Sequence, residues 1–409
     1  MITMNYDRYA DLTVRSGVNV QPGQDVVITC PVDCAEFARA LGRAAYRAGA
    51  REVVTLWSDE ILTRCKYEYA GIEVLEQVPD WFVQSRLYYA ERGGCFINVY
   101  AGNPDAYAGV DPEKLKAAAL ASNRAFEKYY AYTTTNRCSW CIVAAPVEAW
   151  AKKVFPEAEP AKACMLLSEA IEKAMRLNIP DPVEAWKRHN ETIRQRCAYL
   201  NQKQYSRLHY RSANGTDFKV GMPKGHIWLG GAEKTQSGVE FIANMPTEEI
   251  FSAPDRNTAE GTLVSSLPLC YNGSLIEEFS ITFQNGVVSG YEARRGKELL
   301  QQIIETDDGA RRLGEIALVQ QDSPISNMGI LFYNTLFDEN ASCHFALGKA
   351  YPSCIENGLA CETEALLERG VNDSLTHVDF MVGTEDLEIT GYTEDNRAEP
   401  IFRGGNFVI

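Results

Sequence analysis

The grammar of this chain changes near residue 200, and that change limits the folds open to it more than any single motif. Before it, short apolar runs alternate with helical stretches. Asp25-Val26-Val27-Ile28-Thr29 follows the turn signal Gln21-Pro22-Gly23. From about Ala35 to Ala48 the spacing places Phe37, Leu41, Ala44, Ala45 and Ala48 on one helical face; Gly49 then supplies a C-cap, and Glu52–Trp57 reads as a strand. Strand, helix and strand in that order form a βαβ unit, which implies a parallel sheet covered by helices. The pattern recurs in Gly94–Tyr100, a helix over about Pro112–Tyr130, and Trp140–Ala144. No glycine fingerprint for a dinucleotide and no phosphate loop accompanies it. Helical stretches at Pro160–Leu177 and Asp181–Leu200 follow, parted by Pro180-Asp181-Pro182.

Beyond residue 200 the signals are those of hairpins. Asn214-Gly215-Thr216, Gly230-Gly231, Asn272-Gly273-Ser274 and Asn285-Gly286-Val287 are tight-turn sequences, Ile276–Phe283 is strand-like, and a helix is expected near Lys297–Thr306. A chain of 409 residues exceeds what one ordinary core organises. We therefore expect an α/β domain with a parallel sheet over residues 1–200, followed by a mainly antiparallel β, barrel-like domain over residues 201–409.

Composition excludes several classes of function. Hydrophobic residues at 45% and charged residues at 23% describe a globular protein. A net charge of −15 argues against nucleic acid or an anionic membrane as partner. The first residues, Met1 to Asp7, show no basic region followed by an apolar stretch, and no apolar run is long enough to cross a bilayer, so a cytoplasmic protein is expected. The twelve cysteines are then reduced and mostly buried. Cys138-Ser139-Trp140-Cys141 has redox spacing, but it leads into a strand rather than opening a helix, and no second pair completes a zinc site. Those cysteines read as structural.

The chemistry concentrates in the last third. Only five histidines occur in the chain, and two of them, His344 and His377, lie there among carboxylates. His377 and Asp379 are separated by one residue in a β-like segment, so both point to the same face. Imidazole and carboxylate side by side suit a divalent cation, although His-x-Asp alone is a common accident. Glu315 lies in Gly314-Glu315-Ile316-Ala317-Leu318-Val319. It is either a buried carboxylate that needs a partner or the solvent-facing residue of a half-buried strand. His344, between Cys343 and Phe345, reads as a ligand or as a hydrogen-bonded core histidine.

Four long motifs carry a family resemblance: Asn244–Phe251 with Ala253-Pro254-Asp255, Arg312–Val319, Asn334–His344 with Ala346–Tyr351, and His377–Gly383. Their sequences and order resemble the thermophilic metallo-aminopeptidases typified by aminopeptidase T, and the likeness covers nearly the whole chain. It implies a dinuclear metallopeptidase with its catalytic centre in the second domain. Carried over position by position, the implied metal ligands are Glu249, Glu315, His344, His377 and Asp379, with Glu248 in a supporting part and Glu315 as the bridge between two ions. The implied catalytic residues are Glu315 and Glu249, either of which can shuttle a proton, and Tyr351, which can donate to an oxyanion. The resemblance further implies two divalent metal ions (zinc, cobalt, manganese or magnesium), peptides with a free N-terminus as substrates, and a homodimer. The same donor set also serves a dipeptidase or amidohydrolase acting on small amides, or a metal-binding protein without catalysis.

Overall fold

The fold is that of a computed structural model describing residues 4–271 and 273–409. The chain divides into two compact units, Met1–Arg188 with Ala232–Pro246, and His189–Gly231 with Thr247–Ile409. The return of 232–246 to the first unit carries only two two-residue strands, Glu233–Lys234 and Glu240–Phe241, too short to leave a periodic signal.

In the first unit, the expected parallel sheet has four strands in the order Glu52–Ser58, Asp25–Pro31, Cys95–Tyr100, Trp140–Ala144. Val26, Val27 and Ile28 are all buried, as befits a strand covered on both faces. The helix Ala35–Arg47 buries Phe37, Leu41, Ala44 and Ala45, and Gly49, with φ +97°, ends it in the left-handed conformation. Pro112 opens a helix that runs to Thr134, its first turn capped by Asp111. Helices at Glu60–Tyr69 and Asp80–Ala90 were not expected. The first buries no residue and the second only Leu87 and Ala90, so neither presents the apolar stripe from which helices are read. Cys138 and Cys141 are buried and free, and burial pushes both thiols upward, Cys138 to about 11, as inert structural cysteines require. Among the described residues no helix is long and apolar enough to cross a membrane.

The second unit is mainly antiparallel β, as expected. Its larger sheet has nine strands, ordered Leu269–Tyr271, Ser274–Gln284, Glu260–Val264, Asp217–Gly221, Arg207–Arg211, Glu388–Tyr392, Ala398–Arg403, Asn406–Phe407, with Val287–Arg295 also pairing to Ser274–Gln284. Asn285 and Gly286, at φ 52° and 78°, make the hairpin turn that joins the last two. Of the expected turn Asn272-Gly273-Ser274, Asn272 lies outside the described residues. The helix Lys297–Ile304 buries Leu300, Ile303 and Ile304. A smaller antiparallel sheet runs His377–Met381, His344–Gly348, Leu313–Leu318, Ile250–Ser252. The two sheets share one core: Phe345 of the smaller packs 5.0 Å from Tyr210 and 5.3 Å from Phe218 of the larger, ring centre to ring centre.

Candidate metal centre

Strand periodicity builds the site. Ile250, Ile316, Leu318, Phe345, Leu347, Val378 and Phe380 of the smaller sheet all enter the shared core. Side chains alternate along a strand, so Glu249, Glu315, His344, His377 and Asp379, each adjacent to one of these, turn to the opposite face. Register then aligns them. Glu315 pairs with Ala346, and Ala346 with Asp379, so one short side chain separates two carboxylates across three strands. A bulge beside Leu313 re-aims the strand at Glu315. It depends on Gly314, where a Cβ would lie 2.4 Å from the carbonyl oxygens of Gly348 and Lys349.

All five candidate ligands come together. Glu249, Glu315 and His344 can each offer a ligand atom within 4.8 Å of the others, and so can Glu315, His377 and Asp379. Glu315 belongs to both groups. His344 Nε2 lies 3.3 Å from Glu249, while His377 Nε2 lies 3.2 Å from Glu315 and 3.3 Å from Asp379. Each imidazole is oriented from behind. Nδ1–H of His344 donates to the Ser342 carbonyl at 3.0 Å, and Nδ1–H of His377 to the Lys349 carbonyl at 2.7 Å. Only an N–H can bond a carbonyl, so Nε2 is the nitrogen left to the cluster. Glu315 and His344 are buried, which settles the alternatives that sequence left open for Glu315.

Crowding shifts the charges. Burial, and then the charges of Asp379 and Glu249, raise the Glu315 carboxyl, whereas for Asp379 the contact with His377 outweighs burial and lowers it. Burial opposes protonation of the imidazoles, but the carboxylates overcome it, raising His344 to about 10 and His377 to about 11. The cluster thus sets three carboxylates against two imidazoles, and its donors are oxygen and nitrogen alone. Cys343, next to His344, turns away to bond the backbone of Val319. Such a donor set fits hard or borderline divalent cations.

Glu248 points elsewhere: its carboxylate lies 3.4 Å from His189 Nε2, and its N–H donates to Asn340 Oδ1 at 2.7 Å. The Tyr351 ring centre is 5.2 Å from that of His377 and 5.9 Å from that of Phe251, and the residue is 49% exposed, at the rim of the cluster. Partial burial and the charges of Glu315, Asp379 and Glu249 hold its phenol above the ordinary range. One carboxylate escaped the sequence reading. The Glu339 carboxyl is raised well above the ordinary value by burial and by the charges of Glu249 and Asp379. Glu339 follows a single helical turn, Thr335–Asp338, in a short 3-10 segment, Glu339–Ala341, so neither helical nor strand periodicity shows where it points. Beside the cluster, His377, Asp379, Tyr271, Tyr333, Asn334 and Met381 are among the residues lining a cavity of about 290 Å³.

Comparison with known proteins identifies the family of the chain. The sequence is 44% identical to aminopeptidase AmpS of Bacillus subtilis (strain 168), over 98% of this chain and 97% of that protein. It is also 44% identical to aminopeptidase 2 of Geobacillus stearothermophilus, over 98% and 97% respectively. The fold superposes on the solved structure of wild-type AmpT from Thermus thermophilus with a TM-score of 0.93 at 38% identity, covering 99% of each chain. Since the sequence model of the thermophilic metalloprotease (M29) family matches residues 3–407, the chain belongs to that family.

Proposed function

We propose that this chain is a metal-dependent aminopeptidase, removing amino-terminal residues from peptides at a centre of two divalent ions held by Glu249, Glu315, His344, His377 and Asp379. The observation that carries the reading is the overlap of two ligand groups at one carboxylate, Glu315, which suits it to bridge a pair of ions. Relatives at 44% identity named as aminopeptidases support the reaction class. Bound divalent ions supply a water acidic enough to ionise near neutral pH and polarise the scissile carbonyl. The protein's own groups do the rest. Glu249 or Glu315 takes a proton and passes it to the departing amine. Tyr351, kept protonated by the carboxylates around it, donates to the oxyanion at the rim. A free α-amino group received by a carboxylate beside the cluster restricts attack to the end of the peptide. The cavity beside His377 and Asp379 receives substrate groups next to the bond that breaks. Zinc, cobalt, manganese and magnesium all suit the donors.

The test is release of amino acid from leucyl and arginyl peptides, free and N-acetylated, after chelation and after restoring each metal. Cleavage of the free-amine peptides alone, dependent on metal, is expected. Equal cleavage of acetylated peptides, or none with any metal, overturns the reading.

We further propose that two copies of the chain pair. The Glu60–Tyr69 helix buries nothing, and Leu62 and Trp81 are 67% and 71% exposed, large apolar side chains that a partner would cover. Cysteines that are mostly buried fit the reducing cytoplasm, which cell fractionation checks.

A further inference from the structure

The two ligand groups are held together by different means. Glu315, His377 and Asp379 stand on strands in one sheet, so backbone pairing through Ala346 fixes their spacing. Glu249 has less support: it precedes its strand, whereas His344 is paired on both sides, with Ala317 and with Met381. No pairing joins the segment before Glu249 to the segment before His344.

One side chain does join them. Asn340 is 0% exposed, and its Oδ1 accepts from the Glu248 N–H at 2.7 Å, a bond between positions 92 residues apart. Its Nδ2 donates to the Leu336 carbonyl at 3.0 Å and lies 3.4 Å from Glu339 Oε1. The first of these bonds locks the carboxamide to the turn that leads into His344; the second reaches the neighbouring Glu339 carboxylate. Asparagine suits the place because it combines an acceptor with two donors on a short stem. A shift of the Glu248 backbone moves Glu249 directly, since the residues adjoin.

Resting on the two-ion reading above, we propose that Asn340 is a positioning residue for one half of the centre, fixing Glu249 against the sheet-held His344 while leaving the Glu315–His377–Asp379 half to the sheet. Outer-shell groups of this kind govern affinity by orienting the ligands they touch.

The test uses full-length, metal-stripped protein titrated with cobalt(II) against a competing chelator. Wild type shows two binding phases, and His344→Asn identifies the one that depends on the Glu249–His344 half. Asn340→Ala weakens that phase by about 10- to 100-fold and leaves the other unchanged. If the alanine variant does not fold, Asn340→Ser must show the same selective loss. Two unchanged phases, or two phases weakened in parallel, each overturn the proposal. A single phase in wild type instead overturns the two-ion reading, and this inference with it.

Discussion

Loading the centre with metal expels protons, and the geometry sets how many. In the metal-free protein, burial disfavours the imidazolium forms of His344 and His377. Glu249 at 3.3 Å from the first, and Glu315 and Asp379 at 3.2 and 3.3 Å from the second, outweigh it and raise the two to about 10 and about 11. A divalent ion accepts only neutral imidazole, so each half of the centre must lose one imidazolium proton on binding. The sign follows. Below about pH 10 the proton is present in the metal-free state and absent in the loaded one, so apparent affinity rises with pH throughout the ordinary working range. Each proton is worth about tenfold, or about 1.4 kcal/mol, per pH unit, so the product of the two binding constants rises about a hundredfold per unit. The assay is zinc titration of stripped protein at roughly pH 6.5, 7.5 and 8.5, corrected for the chelator's own protonation, with released protons read by an indicator in weak buffer. At least two protons should leave per fully loaded chain. His377→Asn should remove one. Affinity that stays flat across this window would refute the reasoning, because the imidazoles would then either be neutral already or not be ligands.

The remaining expectations are simpler. Glu315→Gln should abolish turnover and reduce the metal bound per chain while the circular dichroism spectrum is kept; wild-type rates in this variant reject the bridging assignment. Tyr351→Phe should lower kcat by about 10²- to 10³-fold with metal content unchanged, the usual effect of losing one oxyanion donor, and an unaltered kcat reduces Tyr351 to a packing residue. Ala346→Leu should fill the gap between Glu315 and Asp379 and prevent metal binding, at an overpacking cost of about 1–3 kcal/mol; two ions bound at wild-type affinity would show that the gap is not the metal site. Leu62→Glu combined with Trp81→Glu should halve the mass seen by light scattering, and an unchanged mass places any pairing surface elsewhere.

Much of this protein was legible in one dimension because its signals are local. The βαβ alternation, the helical face of Phe37, Leu41, Ala44 and Ala45, and the hairpin at Asn285-Gly286 each depend on residues close in sequence, and each formed as read. So did the common face of His377 and Asp379, which strand periodicity dictates. The motif resemblance named five candidate ligands without any knowledge of how they meet. What the chain could not reveal locally was decided by packing between distant segments. Whether Glu315 faced solvent depended on the cover provided by the rest of its unit, and the opening between Glu315 and Asp379 depended on Ala346 falling between them in register. Glu339 and Asn340 stayed hidden because their irregular segment has no period to project, and the partner of Asn340 lies 92 residues away. Periodicity fixes the direction of a side chain only within a regular element; the distance between ligands from separate elements exists only once the sheet has paired and the core beneath it has closed.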